Sequence, residues 1–329
     1  MSVDIESLTY REARPDDVPA LLALWEKASG WGPLTAEKWR SWYVDAPRGP
    51  ALVVVAENAD GLLVGQIVWT PCRMWVDGRE CTGLRTSAPI LDTDVRPQST
   101  LGGRHPVLEL YGTGIALAEK RGFALVYALP DRRWIRFLER SVAFVSFIPR
   151  LRGGHACVAR QCRATRSPPA AMRVTEVNAF GSDFERMWVQ GRDAYPVRTL
   201  VGRDPAWLRY KNGGHLTLEV RTARGVLAGY VALDVRKGSL VDHFAESPDD
   251  LVDVLNGAVG WLAAAAKSSE RLAHLASVSA LAVPATAAAL AAAGFAPVEY
   301  EFGFFADTLD ERVALEALTP DAWFLTAGD

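Results

Sequence analysis

Two aspartates, Asp92 and Asp94, stand two residues apart in a stretch that reads as a strand over residues 80–95. Side chains alternate along a strand, so both carboxylates fall on one face. Two carboxylates that close raise the pKa of one of them, which suits a proton acceptor working near neutral pH; the plainer reading is a polar face pairing with Arg85 or Arg96. Just downstream, Ser99, Thr100, Gly102, Gly103 and Arg104 combine two glycines, two hydroxyls and a guanidinium immediately before a helix. Glycines permit a tight backbone turn whose N–H groups converge with the positive end of the helix, a setting that holds phosphate. His105 follows directly and is placed to act as a base or phosphate donor, or to sit at a plain surface. Arg132, Arg133, Arg136 and Arg140 lie on adjacent faces of one expected helix, either as a second phosphate contact or as a solvated surface. Asp242 and His243 are sequence neighbours on an expected strand and point to opposite faces, which makes a poor dyad; His243 reads as structural. Trp207, Arg209 and Tyr210 are candidates for lining a cleft between domains or for packing one.

These groups do chemistry only if a fold brings them together. The chain has 329 residues, about two domains' worth at roughly 150 residues each. Its 49% hydrophobic and 23% charged residues are those of a globular protein. The Arg-Ala-Thr-Arg-Ser-Pro-Pro-Ala-Ala-Met run breaks every periodicity, so residues 163–172 are the expected linker between an N-terminal domain, 1–162, and a C-terminal domain, 173–329. In the first half, a strand at 10–13, helices from Pro15 and Ala36, and strands at 51–56, 64–76 and 80–95 precede a helix to about residue 121. A strand at 124–128, a helix over 131–140 and two short strands complete it. Asp77-Gly78 is a hairpin signal. The second half repeats the order: a helix near 184–191, strands at 216–222, 226–235 and 239–246, a helix over 249–266, a strand at 272–278, a helix at 284–293 and a last strand at 298–305. Ser247 before Asp249 and Asp250 reads as a helix cap with a dipole-matched first turn. The fold class expected is α/β, a mixed sheet with helices, built twice.

Thirty-six Lys and Arg against 39 Asp and Glu leave a net charge of −3, which removes the global electrostatic case for a nucleic-acid binder. Cys72, Cys81, Cys157 and Cys162 are too few for a disulfide scaffold and lack zinc spacing, so no metal is expected. No apolar run reaches the roughly 18 residues of a membrane span, and Met1 to Tyr10 has no signal-peptide core, so the expected location is cytoplasmic.

The opening Tyr10-Arg11-Glu12-Ala13-Arg14-Pro15-Asp16-Asp17-Val18-Pro19-Ala20-Leu21 resembles the first strand and helix of the acyl-CoA-dependent N-acyltransferases of the GNAT superfamily. Arg203-Asp204-Pro205-Ala206-Trp207-Leu208-Arg209-Tyr210 and the closing Asp321-Ala322-Trp323-Phe324-Leu325-Thr326-Ala327-Gly328-Asp329 are similar to segments of bacterial tandem members, with one such fold in each half. The resemblance implies a protein that transfers an acyl group from acetyl-CoA or another acyl-CoA to the amine of a small molecule, and it is compatible with a homodimer. It places the pyrophosphate loop, of type [QR]-x-x-G-x-[GA], over residues 96–104, with Val95, Ser99, Thr100, Gly102, Gly103, Arg104 and Arg133 as the cofactor contacts. The motif is out of register here, because Gln98 would need glycine where Leu101 stands. In the second half Glu246, Asp249 and Asp250 occupy the matching turn and would repel a pyrophosphate, so the first half is the expected binder.

Direct transfer to an amine needs a base for the ammonium proton, a backbone donor for the thioester oxygen and a proton for the leaving thiolate. The resemblance assigns the base to Asp92 or Asp94. The tyrosine that commonly protonates the thiolate is missing: Glu139 and Leu290 stand at its offset, leaving Tyr127 or Tyr111 as substitutes. Those departures also allow a catalytically inactive tandem fold that serves as a binding or assembly module. An aminoacyl-tRNA-dependent transferase is the weakest reading, since the chain shows no added helical arm or basic stripe.

Overall fold

A computed structural model describes residues 7–95, 105–130, 134, 151–161 and 172–329. Apolar alternation and β-branched runs give β1 (Thr9–Glu12), β2 (Leu52–Glu57), β3 (Leu63–Val76) and β4 (Arg79–Leu91), an antiparallel meander. The β3–β4 hairpin turns through Asp77 (φ 47°) and Gly78 (φ 75°), the two left-handed positions that a tight twisted turn demands. Helix α1 (Val18–Ala28) and α2 (Ala36–Tyr43) cover one face of this meander through Leu21, Leu24, Trp39 and Tyr43; α3 (Pro106–Lys120) covers the other through Leu110, Tyr111 and Ala118. Gly114 lets α3 lie directly on the ring of buried Trp69. The parallel strand β5 (Leu125–Ala128) follows, and β6 (Leu151–Gln161) ends the first half.

The second half repeats this plan with β7 (Met172–Val177), α4 (Ser182–Gly191), β8 (Thr199–Val201), α5 (Pro205–Asn212), β9 (Leu216–Thr222), β10 (Leu227–Asp234) and β11 (Ser239–Ala245). Then come α6 (Pro248–Ala265), β12 (Ser277–Ala282), α7 (Pro284–Ala292), β13 (Ala296–Thr308) and the short β14 (Trp323–Phe324). Each half therefore contains antiparallel strands followed by a helical crossover to a parallel strand: β4–α3–β5 and β11–α6–β12. The Ser247 hydroxyl caps α6 by accepting from the Asp250 N–H at 3.1 Å, as its sequence signature requires.

All fourteen strands join one sheet, in the order β1-β2-β3-β4-β5-β13-β6-β12-β11-β10-β9-β7, with β8 on β3 and β14 on β8. The centre of that order departs from the simple repeat. β13, from late in the chain, inserts between β5 and β6, pairing Phe305 with Ala128 on one side and Val298 with Cys157 on the other. A core of Cys72, Met74, Tyr127, Trp207, Phe304, Trp323 and Leu325 fills the junction between the halves.

β7, β8, α5 and β14 were not anticipated from sequence, and two expected strands differ in extent. β4 ends at Leu91 rather than Val95, because residues Thr93–Val95 coil into a 3-10 turn in which the Asp92 carboxylate accepts from the Asp94 N–H at 3.2 Å. The strand expected at 272–278 begins only at Ser277; Leu272 and Leu275, three apart, are buried through successive turns closed by Leu272 N–H to Ser269 C=O and Leu275 N–H to Leu272 C=O. Among the described residues no helix is long and apolar enough to cross a membrane.

Candidate active site

The two central parallel strands touch only briefly. β4 pairs with β3 almost from end to end, but with β5 only at Leu84–Val126 and Arg85–Tyr127. Beyond that point the strands part. Here β4 carries a bulge: Ile90 pairs with Gln66 and Ser87 with Val68, so Ala88 and Pro89 together oppose Ile67. Ala88 sits at φ 48°, and Pro89 has no N–H to lose, so both residues suit a position that leaves the ladder. The bulge reverses which face the later residues occupy. Leu84 and Thr86 face α3, whereas Ala88 and Ile90 join the α1–α2 core.

Beside the parting, a cleft of about 290 Å³ opens between the halves. Tyr43, Thr70, Arg85 and Ser87 form its wall from the first half; Trp207, Tyr210, Lys211 and His215 form the wall from the second. The Tyr210 hydroxyl donates across the cleft to the Trp42 carbonyl at 2.5 Å, tying α5 to α2. Burial pushes the Tyr210 and Tyr43 phenols upward, so both stay protonated and remain hydrogen-bond donors at neutral pH. Burial pushes His215 downward, so its imidazole is neutral and able to accept a proton.

Behind Lys211 lies a buried polar network. Arg203, Asp242 and Asp329 are fully buried; Arg203 reaches Asp242 at 3.3 Å and Asp329 at 2.8 Å, while Lys211 reaches Asp329 at 2.5 Å. Tyr230 and Asn212 donate to the second oxygen of Asp242 at 2.7 and 3.2 Å. Burial alone would raise both carboxyls, but Lys211 and Arg203 outweigh it for Asp242, and Arg203 and Lys211 for Asp329, so both remain ionised. His243 is likewise fully buried, its ring 6.1 Å from that of Phe324, and burial pushes it down to about 4. A folded-state pKa below the unfolded value near 6.5 means the unfolded chain takes up the extra proton, so stability is present above pH 6.5 and is lost as pH falls toward 4. The loss expected from His243 is about 3 kcal/mol, read by urea unfolding at pH 7 and at pH 4.5, and His243→Gln should flatten that dependence.

The residues expected from sequence lie in several places. Ser99, Thr100, Gly102, Gly103, Arg104 and Arg133 lie outside the described residues. Asp92 and Asp94 do come together, though not as strand neighbours. Both reach Lys27 of α1, at 2.6 and 3.2 Å. Burial pushes Asp92 up, yet the Lys27 ammonium and the Asp94 N–H outweigh it and hold its carboxyl below the usual range, the reverse of the raised pKa that a like-charge pair was expected to give. Val95 is buried under α3 in the core of the first half.

Tyr127 is 0% exposed, its ring tilted against Trp323 at 5.1 Å between centroids and its hydroxyl 3.9 Å from the Cys72 sulfur. Burial pushes its phenol well above the ordinary value, so it keeps its proton deep in the junction core. Tyr111 is buried against Trp69 and Phe305. His105 caps α3, its Nδ1 accepting from the Val107 N–H at 3.3 Å. Of Trp207, Arg209 and Tyr210, left open between lining a cleft and packing one, Trp207 and Tyr210 line it and Arg209 does not; Tyr43, Thr70, Ser87, Lys211 and His215 were not singled out, and Arg85 was considered only as a partner for the aspartates. Among the described residues no cluster of three or more His, Cys, Asp or Glu could hold a metal ion.

No family model matches the sequence, and no curated protein matches it at a significant level. Solved structures do. A GCN5-related N-acetyltransferase from Anabaena variabilis superposes with a TM-score of 0.67 at 12% identity, over 94% of this chain and 75% of that one. One from Kribbella flavida gives 0.62 at 14% identity, over 94% and 73%. The chain has the GNAT fold. N-myristoyltransferase from Saccharomyces cerevisiae, solved with bound myristoyl-CoA and inhibitors, matches at 0.58 and 9% identity over 93% of this chain and 81% of that one. At these identities the likeness is one of fold, and in the GNAT fold of this chain the parted strands and the cleft beside them sit at the meeting point of the two halves.

Proposed function

We propose that the chain is an acyl-CoA-dependent N-acyltransferase that receives the amine of a small molecule in the cleft between its two halves. The observation that carries this reading is the parting of β4 from β5 after Arg85 and Tyr127, directly beside a cleft walled by both halves. A free strand edge with a bulge in it fits an extended acyl carrier, because it offers backbone groups that the sheet has not used. Acyl-CoA supplies a thioester carbonyl that an amine can attack.

As the C–N bond of the amide forms, the thioester C–S bond breaks and CoA leaves as the free thiol; the chain supplies the following groups. The bulge at Ala88 takes its peptide out of the ladder and is the proposed backbone donor for the carbonyl oxygen. His215 is the proposed acceptor of the amine proton: it lines the cleft, is half-buried and is neutral at pH 7. Asp92 is poorly suited to that role, since taking up a proton there would break its pairing with Lys27. The acyl-CoA contacts expected over residues 96–104 remain part of the proposal, with α3 beginning immediately after them.

The test is calorimetric titration with acetyl-CoA and longer acyl-CoAs, followed by thiol release in the presence of small amines. Binding at one site per chain with amine-dependent thiol release is the expected result; no binding to any acyl-CoA would overturn the reading in favour of a non-catalytic module. His215→Gln is expected to lower kcat by roughly 10²- to 10⁴-fold while leaving acyl-CoA affinity unchanged, a split that single-turnover kinetics would show.

A further inference from the structure

The acyl-transfer reading leaves the acceptor's chemistry open, and the charges around the cleft narrow it. Lys211, one of the two cations lining the cleft, is already neutralised. With Arg203 it faces Asp242 and Asp329, so two cations meet two carboxylates and the network carries no net charge. Arg85 is different. It is half-buried on β4, at the last residue that pairs with β5, and its guanidinium has no hydrogen bond or ion pair among the described residues. No aspartate or glutamate lines the cleft.

Other partly buried arginines of the same sheet and its surroundings are matched: Arg73 with Glu80 at 2.7 Å and Glu185 at 2.8 Å, Arg48 with Asp204 at 3.1 Å. A guanidinium drawn partly out of water without a counter-charge is unfavourable unless something else provides one. Its rigid fork of N–H donors matches the paired oxygens of a carboxylate or phosphate.

The surroundings agree with an oxyanion. Thr70 pairs with Arg85 across the β3–β4 ladder, Ser87 lies two residues along the same strand face, and the Tyr43 phenol stays protonated beside them. All three offer O–H donors. His215 on the opposite wall leaves an amine and an anion room to lie at two ends of one short molecule. A cavity of about 290 Å³ stands at the small end of ligand pockets, which span roughly 300–1,000 Å³.

We propose that the acceptor is a small amine that also carries a carboxylate or phosphate group, and that Arg85 binds that group. The proposal rests on the acyl-transfer reading for the role of the amine, but the anion site stands or falls separately.

Glycine and glycinamide are nearly the same size and differ in that one ends in a carboxylate and the other in a neutral amide; aminomethylphosphonate replaces the carboxylate with a phosphonate. With acetyl-CoA as donor, the wild-type protein should favour the anionic amines. Arg85→Gln should reduce the ratio of kcat/KM for glycine over glycinamide by about ten- to a hundred-fold, the worth of a charged hydrogen-bonded pair. Arg85→Lys should keep part of that preference, because it keeps the charge but not the fork. Comparing ratios cancels the different basicities of the amines and any general loss of folded enzyme. Whichever of glycine and aminomethylphosphonate loses more in Arg85→Gln identifies the oxyanion.

A preference for glycine over glycinamide that survives unchanged in Arg85→Gln would overturn the proposal while leaving the acyltransferase reading intact. If no amine is acylated, calorimetric titration with glycine and with aminomethylphosphonate decides: binding that disappears in Arg85→Gln supports the anion site while removing the acyltransferase reading. Absence of binding by both compounds would overturn the site as well.

Discussion

Gly114→Ala is expected to yield a chain that does not hold its tertiary fold. A methyl group at that position would lie 1.1 Å from Cζ3 and 1.5 Å from Cη2 of Trp69, well inside the ring. Trp69 cannot swing aside, because it is fully buried and set edge-on to Tyr111 at 5.8 Å. Ordinary overpacking costs about 1–3 kcal/mol, relieved by rotamer changes and small backbone shifts. Here the overlap is larger than such shifts absorb, so α3 must lift from β3 and expose the core it covers, for an expected loss above about 4 kcal/mol. Urea unfolding followed by tryptophan fluorescence checks this. The decisive variant is Gly114→Ala combined with Trp69→Leu, which makes room for the methyl and should be more stable than Gly114→Ala alone. A double variant no better than the single one would show that the close approach of α3 is not the cause.

The second large effect is expected at the buried network behind the cleft. Asp242→Asn keeps the shape of the side chain but removes its charge, leaving Arg203 and Lys211 to share Asp329 in a buried environment. An uncompensated buried charge destabilises by about 3–5 kcal/mol. The amide keeps one acceptor oxygen, so either Tyr230 and Asn212 or Arg203 and Thr326 are left facing an NH2 where a carboxylate oxygen stood. Arg203→Met should be comparably damaging, for the opposite imbalance of charge. Replacing the pair together, as Arg203→Met with Asp242→Leu, restores neutrality and should cost less than the sum of the two single changes. Denaturant midpoints of the four proteins test it, and strict additivity would mean that the residues do not act as a unit.

Local signals in the sequence carried the elements well. Asp77-Gly78 marks its hairpin because both turn positions need left-handed backbone, and Ser247 marks the start of α6 because its hydroxyl meets the Asp250 N–H. The strand Leu216–Thr222 was legible to the residue. Features that depend on distant partners were not. Asp92 has the spacing of a strand residue, but its carboxylate bonds the backbone two residues on and ends the strand. Nothing near residue 125 announces that its neighbour in the sheet will be residue 308.

The cleft was only partly legible for the same reason. Its walls come from α2, β3, β4, α5 and the residues before β9, and no spacing within one segment records that they converge. Trp207 and Tyr210, with Arg209, were candidates for lining or packing a cleft, but the helix α5 that presents the two aromatics to it was not anticipated. Arg85 reads as one arginine among many until the carboxylates expected beside it prove to be on Lys27 instead.

The placement of β13 also bears on how the protein is made. A ribosome delivers β5 long before β13, so during synthesis the first half waits with the edge of β5 unoccupied and with Tyr127 lacking Trp323 and Phe304 as neighbours. An unpaired edge in a growing chain is open to pairing with another copy. The final zipping of β13 between β5 and β6 joins segments far apart in sequence, so it closes a large loop and is intrinsically slow. In this arrangement the two halves share one sheet, and the seam between β5 and β6 closes only when β13 has been made.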